Sequence, residues 1–471
     1  MSDTVTAPTT AVAPAPLIVD NEPTRAFFAP ERGAARSLDT SLPGYDRFRS
    51  WFTRPLLTRP AILDAAQTDR LDHDLPLLLR TLHALPERLF GGDEEAFAEA
   101  LGWIGPDSGS ARHALRHLSG PAVPLGRADL VRNTDGFHLV EFNTSSSLGG
   151  FEFGELCRAT LSDPSFRELA DGVGLYYLDP LRLMSETLLD RSGLSLSDRP
   201  TVALVDWVTS PVSVNASLFV ALMVELGFRM ISCSVRDLEM TRTGLYAHGE
   251  RIDVAYRVFL LKTVAEDPDA PALLAPLEQA VRAGAVTLFS PLNADLYGAK
   301  GCLAMLSDER HRDRFTAEEW ETVQRVLPWT RSMRDAWRVP AEDGGSLAEY
   351  VLRHREELVL KPSIGHAGRG VVAGWLSTPE EWAALVRTAA EGNHVVQRRV
   401  PSVAERFYAG PAEGEPSTCF LHWSLFVTAA GLSGGFVKGL LDREQDIRYL
   451  GDGSHVGCIF HARAEESGRP R

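Results

Sequence analysis

Four polar residues alternate along two short segments that are otherwise rich in apolar side chains: Arg127 and Asp129 in the first, Glu141 and Asn143 in the second. The tetrad Asn-Thr-Asp-Gly between the segments is typical of a hairpin turn. Because side chains alternate faces along a strand, a loop at 134–136 sets Asp129 opposite Glu141 and Arg127 opposite Asn143. Two facing carboxylates repel each other unless a cation lies between them. Oxygens of Asp, Glu and Asn suit Mg²⁺, which leaves its other positions to phosphates and water.

The opposite face of this hairpin is apolar, with Ala128, Leu130, Val140 and Phe142 expected to pack on a core. An ordinary amphipathic hairpin with its charged face in water would show the same pattern. From the hairpin alone, both interpretations therefore stay open.

A run of small hydroxyl residues follows, Thr144 and then Ser145, Ser146 and Ser147, before Gly149-Gly150 and a helix predicted from about Glu152. Such runs are often linkers or helix caps. Directly after the carboxylate strand, however, the hydroxyl and backbone N–H groups are placed to hold an anionic substrate group beside a metal.

The segment Leu358–Pro362 is predicted to be a strand carrying Lys361, and a loop with Gly365, Gly368 and Gly370 follows it. A dinucleotide fingerprint or P-loop requires a helix after the glycines. Here another strand follows, which favours a mobile hairpin that covers phosphates as a lid, with Lys361 as a phosphate-neutralising charge. A solvent-exposed turn with a surface lysine is the alternative.

Further candidates for nucleotide contact lie on either side of this loop. Lys300 stands at the start of a predicted helix, where a cation is mildly unexpected, and this favours a contact with phosphate; a surface lysine is the alternative. After a helix at 379–391, the strand at 393–400 is expected to offer its backbone to an adenine edge. Lys438 lies on a later strand at 433–440. The proposed contacts on the first of these strands are Gln397, Arg398 and Val400.

From about residue 199, predicted strands and helices alternate, which favours a small parallel α/β unit. Ligands of such sheets bind beyond the carboxyl ends of the strands. Asp206, Thr209 and Ser210 lie at the carboxyl end of the strand predicted at 201–208, so they are candidate substrate contacts, although a simple loop explains them equally well.

The N-terminal part divides into a tail and a helical region. Residues 1–24 are rich in Ala, Pro and Thr and predict a disordered tail, whereas leucine spacing between about Tyr45 and Leu118 predicts helices. His113 and His117 lie one helical turn apart, a spacing that can hold a metal. With no third ligand nearby in the sequence, we interpret them as surface residues.

Composition excludes some classes of partner. The formal net charge is −15, which argues against a nucleic-acid groove or an anionic membrane surface. The five cysteines are scattered and odd in number, as expected of reduced thiols in the cytoplasm rather than a zinc site or a disulfide framework. No uninterrupted apolar run approaches membrane-spanning length.

Together these segments resemble the ATP-grasp superfamily, whose working parts include a lysine-ended strand, a glycine lid, a hinge strand and a metal hairpin. Here the hairpin comes first, and this permuted order resembles the branch of glutathionylspermidine synthase-like ligases. The likeness spans about 126–440 and is carried by Arg127-x-Asp129, Glu141-x-Asn143, Ile252–Arg257, Tyr297–Gly301, Val359–Pro362, Val396-Gln397 and Gly434–Lys438. The chain departs from the family at Thr144–Ser147, where an acidic residue and a proline are usual, and at Lys438, where an arginine is usual.

The resemblance implies an α/β (α+β) ATP-grasp fold and an ATP-dependent carboxylate–amine ligase that uses ATP and Mg²⁺, acts on small molecules and forms an amide through an acyl phosphate. Asp129, Glu141 and Asn143 would hold the metal, Lys300 and Lys361 the phosphates, Arg127 the transferring phosphoryl group, and Lys438 the acceptor carboxylate. A small-molecule kinase and a catalytically silent nucleotide-binding module remain alternatives, and the oligomeric state stays open. The expected divisions are a tail (1–24), a helical region (25–125), the hairpin part (126–198), a small α/β substrate domain (199–295) and the part with the lysines, lid and hinge strand (296–471).

Overall fold

A computed structural model of the protein describes residues 17–144, 147–207, 214–365, 368–408, 415–440 and 454–464. From Leu17 onward the chain is docked on the fold. Ile18 forms a β-bridge with Ala404, and the backbone N–H of Val19 donates to the carbonyl of Ala404 at 3.1 Å. The prediction of a disordered tail is therefore wrong for 17–24, because 17–19 pair with a strand edge and a helix begins at Glu22. Residues 1–16 lie outside the described ranges.

The helical N-terminal region is confirmed, and it also contributes one strand. A capping box of Asp64 and Gln67 starts its longest helix, on which Leu71, Leu75 and Leu78 are buried, as their spacing predicts. The elements are α1 (Glu22–Phe27), α2 (Asp46–Trp51), β1 (Ala61–Leu63), α3 (Ala65–His83), α4 (Leu85–Phe90), α5 (Glu94–Leu101) and α6 (Gly109–Leu118).

The predicted hairpin follows, and then a helical connection to the middle of the chain. The elements are β2 (Gly126–Arg132), β3 (Phe137–Asn143), α7 (Phe153–Thr160), α8 (Pro164–Gly172), β4 (Leu175–Tyr176) and α9 (Pro180–Ser192). Asn133 stabilises the turn, since its side-chain oxygen accepts from the N–H groups of Asp135 and Gly136 at 2.7 and 3.1 Å.

The middle of the chain forms the predicted parallel α/β unit. Its elements are β5 (Thr201–Asp206), α10 (Val214–Glu225), β6 (Arg229–Ser234), β7 (Glu239–Thr241), β8 (Gly244–Ala247), β9 (Glu250–Arg251), β10 (Val254–Arg257), α11 (Leu261–Glu266), α12 (Ala270–Arg282) and β11 (Thr287–Phe289). The order β11-β10-β5-β6 is parallel throughout. The separate antiparallel sheet β7-β8-β9 was not predicted.

The rest of the chain supplies a four-stranded antiparallel sheet and completes the largest sheet. Its elements are α13 (Ala294–Tyr297), α14 (Lys300–Ser307), α15 (Ala317–Val326), β12 (Thr330–Ser332), α16 (Leu347–Arg353), β13 (Leu358–Pro362), β14 (Val372–Ala373), α17 (Pro379–Glu391), β15 (His394–Arg398), β16 (Ala404–Phe407), β17 (Ser417–Thr428), β18 (Gly431–Leu440) and β19 (His455–Ala462). The four-stranded order is β12-β15-β13-β14.

The largest sheet joins strands from both ends of the chain. Its order is β1-β19-β18-β17-β2-β3, with β16 also paired to β17 and β4 to β19. The hairpin β2–β3 thus lies beside β17, which comes almost 300 residues later in the chain. Among the residues described, none of the helices has the length and apolarity that crossing a membrane requires.

A buried ion pair fixes the α/β unit to the segment that leads into α14. Arg257 at the end of β10 donates from Nη2 to Asp295 Oδ1 at 2.8 Å, and both side chains are almost fully buried. The second oxygen of Asp295 accepts from the N–H of Leu261 at 2.6 Å. The paired charges therefore hold α13, and α14 directly after it, against the end of the parallel sheet.

We predict that Asp295→Ala lowers the free energy of unfolding by about 3–5 kcal/mol, because Arg257 would be left charged and unpaired in the interior. Urea denaturation followed by tryptophan fluorescence measures the change. The control is Asp46→Ala, which removes an exposed partner of Arg49 and should change stability by no more than about 1 kcal/mol. Equal effects of the two substitutions would contradict this role for the buried pair.

Candidate functional site

The predicted pairing of the four polar residues is confirmed, but the predicted loop at 134–136 is one residue too short, because Arg132 pairs with Phe137. Arg127 pairs with Asn143 and Asp129 with Glu141, so the four polar residues share one face. The register then shifts, because Leu130 pairs with Leu139 and leaves one extra residue on β3.

This β-bulge corrects the predicted apolar face. Ala128, Leu130 and Phe142 are buried as expected, but Leu139 takes the core position that was assigned to Val140. Val140 is instead only partly buried, and its carbonyl oxygen accepts a hydrogen bond from the ammonium of Lys361 at 3.2 Å. The bulge therefore creates a contact between the hairpin and the lysine-bearing strand.

Asp129 lies at the centre of the polar face. Its two oxygens accept from Arg127 Nε at 2.9 Å and Nη2 at 3.1 Å, and the amide nitrogen of Asn143 donates to it at 3.1 Å. Burial on its own would raise the pKa of Asp129, but the adjacent charge of Arg127 holds that pKa at about 2. The carboxylate is consequently ionised at neutral pH.

Glu141 faces a different cation. The Nζ of Lys300, in the first turn of α14, donates to Glu141 Oε1 at 2.8 Å and to the carbonyl of Gly365 at 3.2 Å. The helix starts at Lys300, as predicted, and the lysine is buried and connects the hairpin to the first residue of the glycine loop. The side chain of Glu141 remains 22% exposed.

Lys361 reaches the same junction from β13. Besides the carbonyl of Val140, it donates to the side-chain oxygen of Gln397 at 2.6 Å. Burial, together with repulsion from Lys300, lowers the pKa of Lys361 to about 8. Lys300 from α14 and Lys361 from β13 therefore both contact β3, the strand that carries Glu141.

A cationic cavity of about 320 Å³ opens beside Arg127. Arg54 and Lys438 complete its positive wall, and the backbone of Gly149 and Gly150 lines its rim. Burial, joined by repulsion from Arg127 and Arg54, lowers the pKa of Lys438 to about 8 against the attraction of Asp129. Such a cavity favours an anionic group.

An aromatic surface underlies this cavity. The rings of Phe153 and Phe436 stack with centroids 4.4 Å apart. Arg127 and Lys438 lie 5.6 and 5.4 Å from the centroid of Phe436, within the range of cation–π attraction. Gly150 has a φ of 106°, and a Cβ there would overlap the Phe436 ring, so the close approach of this loop requires glycine.

Two residues of the site were missed by sequence reasoning. His422 on β17 is buried between Asp129 and Lys438, and burial lowers its pKa to about 4, which keeps the ring neutral. The polar residues His422 and Ser424, two apart in an apolar strand, were a usable signal. Arg54 offered none, because an isolated arginine in a connecting segment has no periodic context.

The strand β15 corrects one expectation. It lies between β12 and β13, so the backbone of Gln397 is directed at these two strands and not at an adenine edge. The side chain of Gln397 instead positions Lys361. Arg398 and Val400 line a separate cavity of about 400 Å³ with Trp329.

The remaining predicted substrate and lid residues either make other contacts or lie outside the described residues. Thr144 uses its hydroxyl to donate to the carbonyl of Ala294 at 2.8 Å, and Ser147 is exposed. Asp206 ends β5 as predicted, with its carboxylate accepting from the N–H of Trp207. Gly368 and Gly370 have φ values of 69° and 75°. Four expectations lie outside the described residues, namely Ser145, Ser146, Thr209 and Ser210.

The oxygen-bearing side chains of the polar face are of the types that bind Mg²⁺. Asp129 is ionised, Glu141 lies opposite it, and Asn143 adds an amide oxygen. Glu141 and Asn143 also line a small cavity with Gly365. The two carboxylates form ion pairs with Arg127 and Lys300, so a bound metal ion would have to share or displace these partners.

We predict that Glu141→Gln lowers stability in metal-free buffer, by about 1–2 kcal/mol, because Lys300 is only 7% exposed and loses its anionic partner. This loss outweighs the relief of repulsion from Asp129, whose charge is already neutralised by Arg127. Thermal denaturation without nucleotide tests the sign. Glu186→Gln, at an exposed pair with Arg182, is the control and should have little effect. A Glu141→Gln protein as stable as the unsubstituted one would contradict the inference.

The fold is similar to that of a solved structure. A glutathione synthetase-like effector from Globodera pallida, in its apo form, matches with a TM-score of 0.54 at 13% identity, covering 86% of this chain and 90% of its own. A putative gamma-glutamylcysteine synthetase from Methylobacillus flagellatus KT covers 84% and 87% at 14% identity, with a TM-score of 0.38. No protein-family model and no curated protein matches the chain. The likeness to the effector is one of fold alone, and the chain has a mixed α/β fold similar to that of this glutathione synthetase-like protein.

Proposed function

We propose that the protein is an ATP-dependent carboxylate–amine ligase that forms an amide through an acyl phosphate and releases ADP and phosphate. The observation that carries the proposal is the meeting of Lys300 and Lys361 with the carboxylate hairpin, next to a second, cationic cavity. One side of the hairpin suits the phosphates of a nucleotide, and the other suits a carboxylate substrate.

The nucleotide side has the charges that a triphosphate requires. Lys300 and Lys361 supply positive charge from two elements, and the glycine loop that begins at Gly365 starts within hydrogen-bonding distance of Lys300. We assign the loop the role of a lid over the phosphates. The cavity lined by Trp329, Arg398 and Val400 is our proposed position for the base and ribose.

The acceptor side is the cationic cavity. Arg54, Arg127 and Lys438 surround a space of about 320 Å³, large enough for a small carboxylic acid. Arg127 also contacts Asp129, so it stands between the acceptor and the metal-binding face. This position suits a residue that steadies the transferring phosphoryl group.

In the proposed reaction, an oxygen of the substrate carboxylate attacks the γ-phosphorus of ATP, and the β–γ bridging oxygen leaves with ADP. The nitrogen of the amine then attacks the acyl carbon, phosphate leaves, and the amine loses a proton. This chemistry needs positioning and charge neutralisation more than a strong base. Mg²⁺, when bound by Asp129, Glu141 and Asn143, would neutralise charge on the β- and γ-phosphates. Burial of the site protects the acyl phosphate from water.

Two further proposals follow from the sequence resemblance. The hairpin precedes the lysine strand in the chain, and this order supports the permuted, glutathionylspermidine synthase-like branch. The departures at Thr144–Ser147 and at Lys438 argue for an acceptor other than glutathione, consistent with a role in natural-product or peptide assembly in the cytoplasm. A small-molecule kinase or a silent nucleotide-binding module would use the same phosphate-side residues, so products must distinguish them.

Nucleotide affinity should depend on pH. Lys361 has a pKa of about 8 in the ligand-free protein, and phosphates bind its protonated form. ADP affinity should therefore be greatest below about pH 8 and fall by up to tenfold per pH unit above it, as measured by calorimetric titration between about pH 7 and pH 9. Lys438→Arg is the control, because arginine keeps its charge throughout this range. A flat profile in Lys438→Arg would assign the dependence to Lys438 and contradict the role of Lys361.

The proposed function is tested by isotope transfer. With ATP, Mg²⁺ and pools of carboxylic acids and amines, oxygen-18 from the substrate carboxylate should appear in the released phosphate, alongside ADP and an amide. Glu141→Gln serves as the control and should form neither product. A phosphorylated substrate without free phosphate would identify a kinase. AMP that carries the labelled oxygen would identify an adenylating ligase. The absence of turnover in every pool would identify a silent module. Each of these outcomes would refute the proposal.

A further inference from the structure

A second cluster of metal-ligating side chains lies far from the hairpin. His113 and His117 are one turn apart on α6, with ring centroids 4.6 Å apart. Glu278 on α12, 165 residues beyond His113, faces them across the helix–helix contact. One nitrogen of each ring and one carboxylate oxygen all lie within 4.8 Å of one another. The fold thus supplies the third ligand that the sequence around the histidines lacks.

Glu278 is the residue that needs a partner. Its carboxylate is buried, with the residue only 5% exposed. The Nε2 atom of His113 lies 3.0 Å from Oε1 and 3.2 Å from Oε2, but within the described part of the chain the buried Oε1 accepts no well-oriented hydrogen bond. A buried, incompletely paired carboxylate oxygen carries a substantial free-energy penalty. A cation at this point would remove it.

We propose that His113, His117 and Glu278 bind a divalent ion of the zinc class at the junction of α6 and α12. Two imidazoles and one carboxylate are a typical ligand set for Zn²⁺, whereas Mg²⁺ and Ca²⁺ prefer oxygen ligands alone. Histidines at i and i+4 project from one helix face. His117 is exposed, so its ring is free to rotate toward the ion, and solvent supplies the fourth ligand.

Such an ion would fasten the helical N-terminal region to the α/β unit. The helix α6 ends only a few residues before β2, so the ion would also fix the entry of the chain into the carboxylate hairpin. The role is structural and independent of the proposed ligase activity. It is also distinct from the Mg²⁺ assigned to the hairpin, because the two ligand sets share no residue.

The test uses the full chain, stripped with a chelator, incubated with Zn²⁺ alone and dialysed. Elemental analysis should find one zinc per chain, and thermal denaturation should show a midpoint raised by a few degrees. His117→Ala and Glu278→Gln should each lose the zinc and the shift. Glu141→Gln and His354→Gln should keep both, since the first alters only the hairpin and the second removes a histidine that has Asp343 as its acidic partner.

Three outcomes would overturn the proposal: no retained zinc, zinc retained in His117→Ala, or zinc lost in Glu141→Gln. The last would assign the ion to the hairpin. Because Glu278 is buried and its substitution could impair folding, exposed His117 provides the decisive variant. Co²⁺ substitution adds a direct readout, as imidazole ligation should give visible absorption that disappears in His117→Ala.

Discussion

The opposition of Asp129 and Glu141 is the constraint on which the rest of the site depends. Two carboxylates face each other across an antiparallel pair, in a position that is largely withdrawn from water. Like charges placed this way destabilise a hairpin unless cations compensate them. The chain itself supplies such cations, with Arg127 paired to Asp129 and Lys300 paired to Glu141.

That compensation explains several otherwise unfavourable features of the fold. A lysine in the first turn of α14 is opposed by the helix dipole, yet it is buried there against Glu141. The β-bulge at Val140 interrupts a ladder, yet it releases the carbonyl that Lys361 contacts. The pair of Arg257 and Asp295 places buried charge in the interior and in return holds the segment leading into α14. These local costs converge on one junction, as expected where function constrains a fold.

The hairpin also separates two environments. Toward β13 and α14 lie the lysines and the glycine loop, and toward β18 lies the cationic cavity with its stacked aromatic rings. Asp129 belongs to both, because it contacts Arg127 directly and lowers the energy of the charged form of Lys438. The proposed ligase reaction would use this arrangement, because its phosphoryl donor and acceptor have to approach one charged centre.

The sequence by itself determined the local elements and their chemistry. The alternation of Arg127, Asp129, Glu141 and Asn143 predicted the hairpin and the pairing of these four residues, although not the bulge at Val140, and the strand–helix alternation predicted the parallel unit. Those patterns are short-range, so propensity and periodicity encode them. Position along the chain does not encode which distant segments meet. Only the tertiary structure decided that Arg54 joins the cationic cavity, that Gln397 positions Lys361, and that Glu278 faces the two histidines of α6. These contacts arise from the packing of whole elements, a non-local outcome that no single segment specifies.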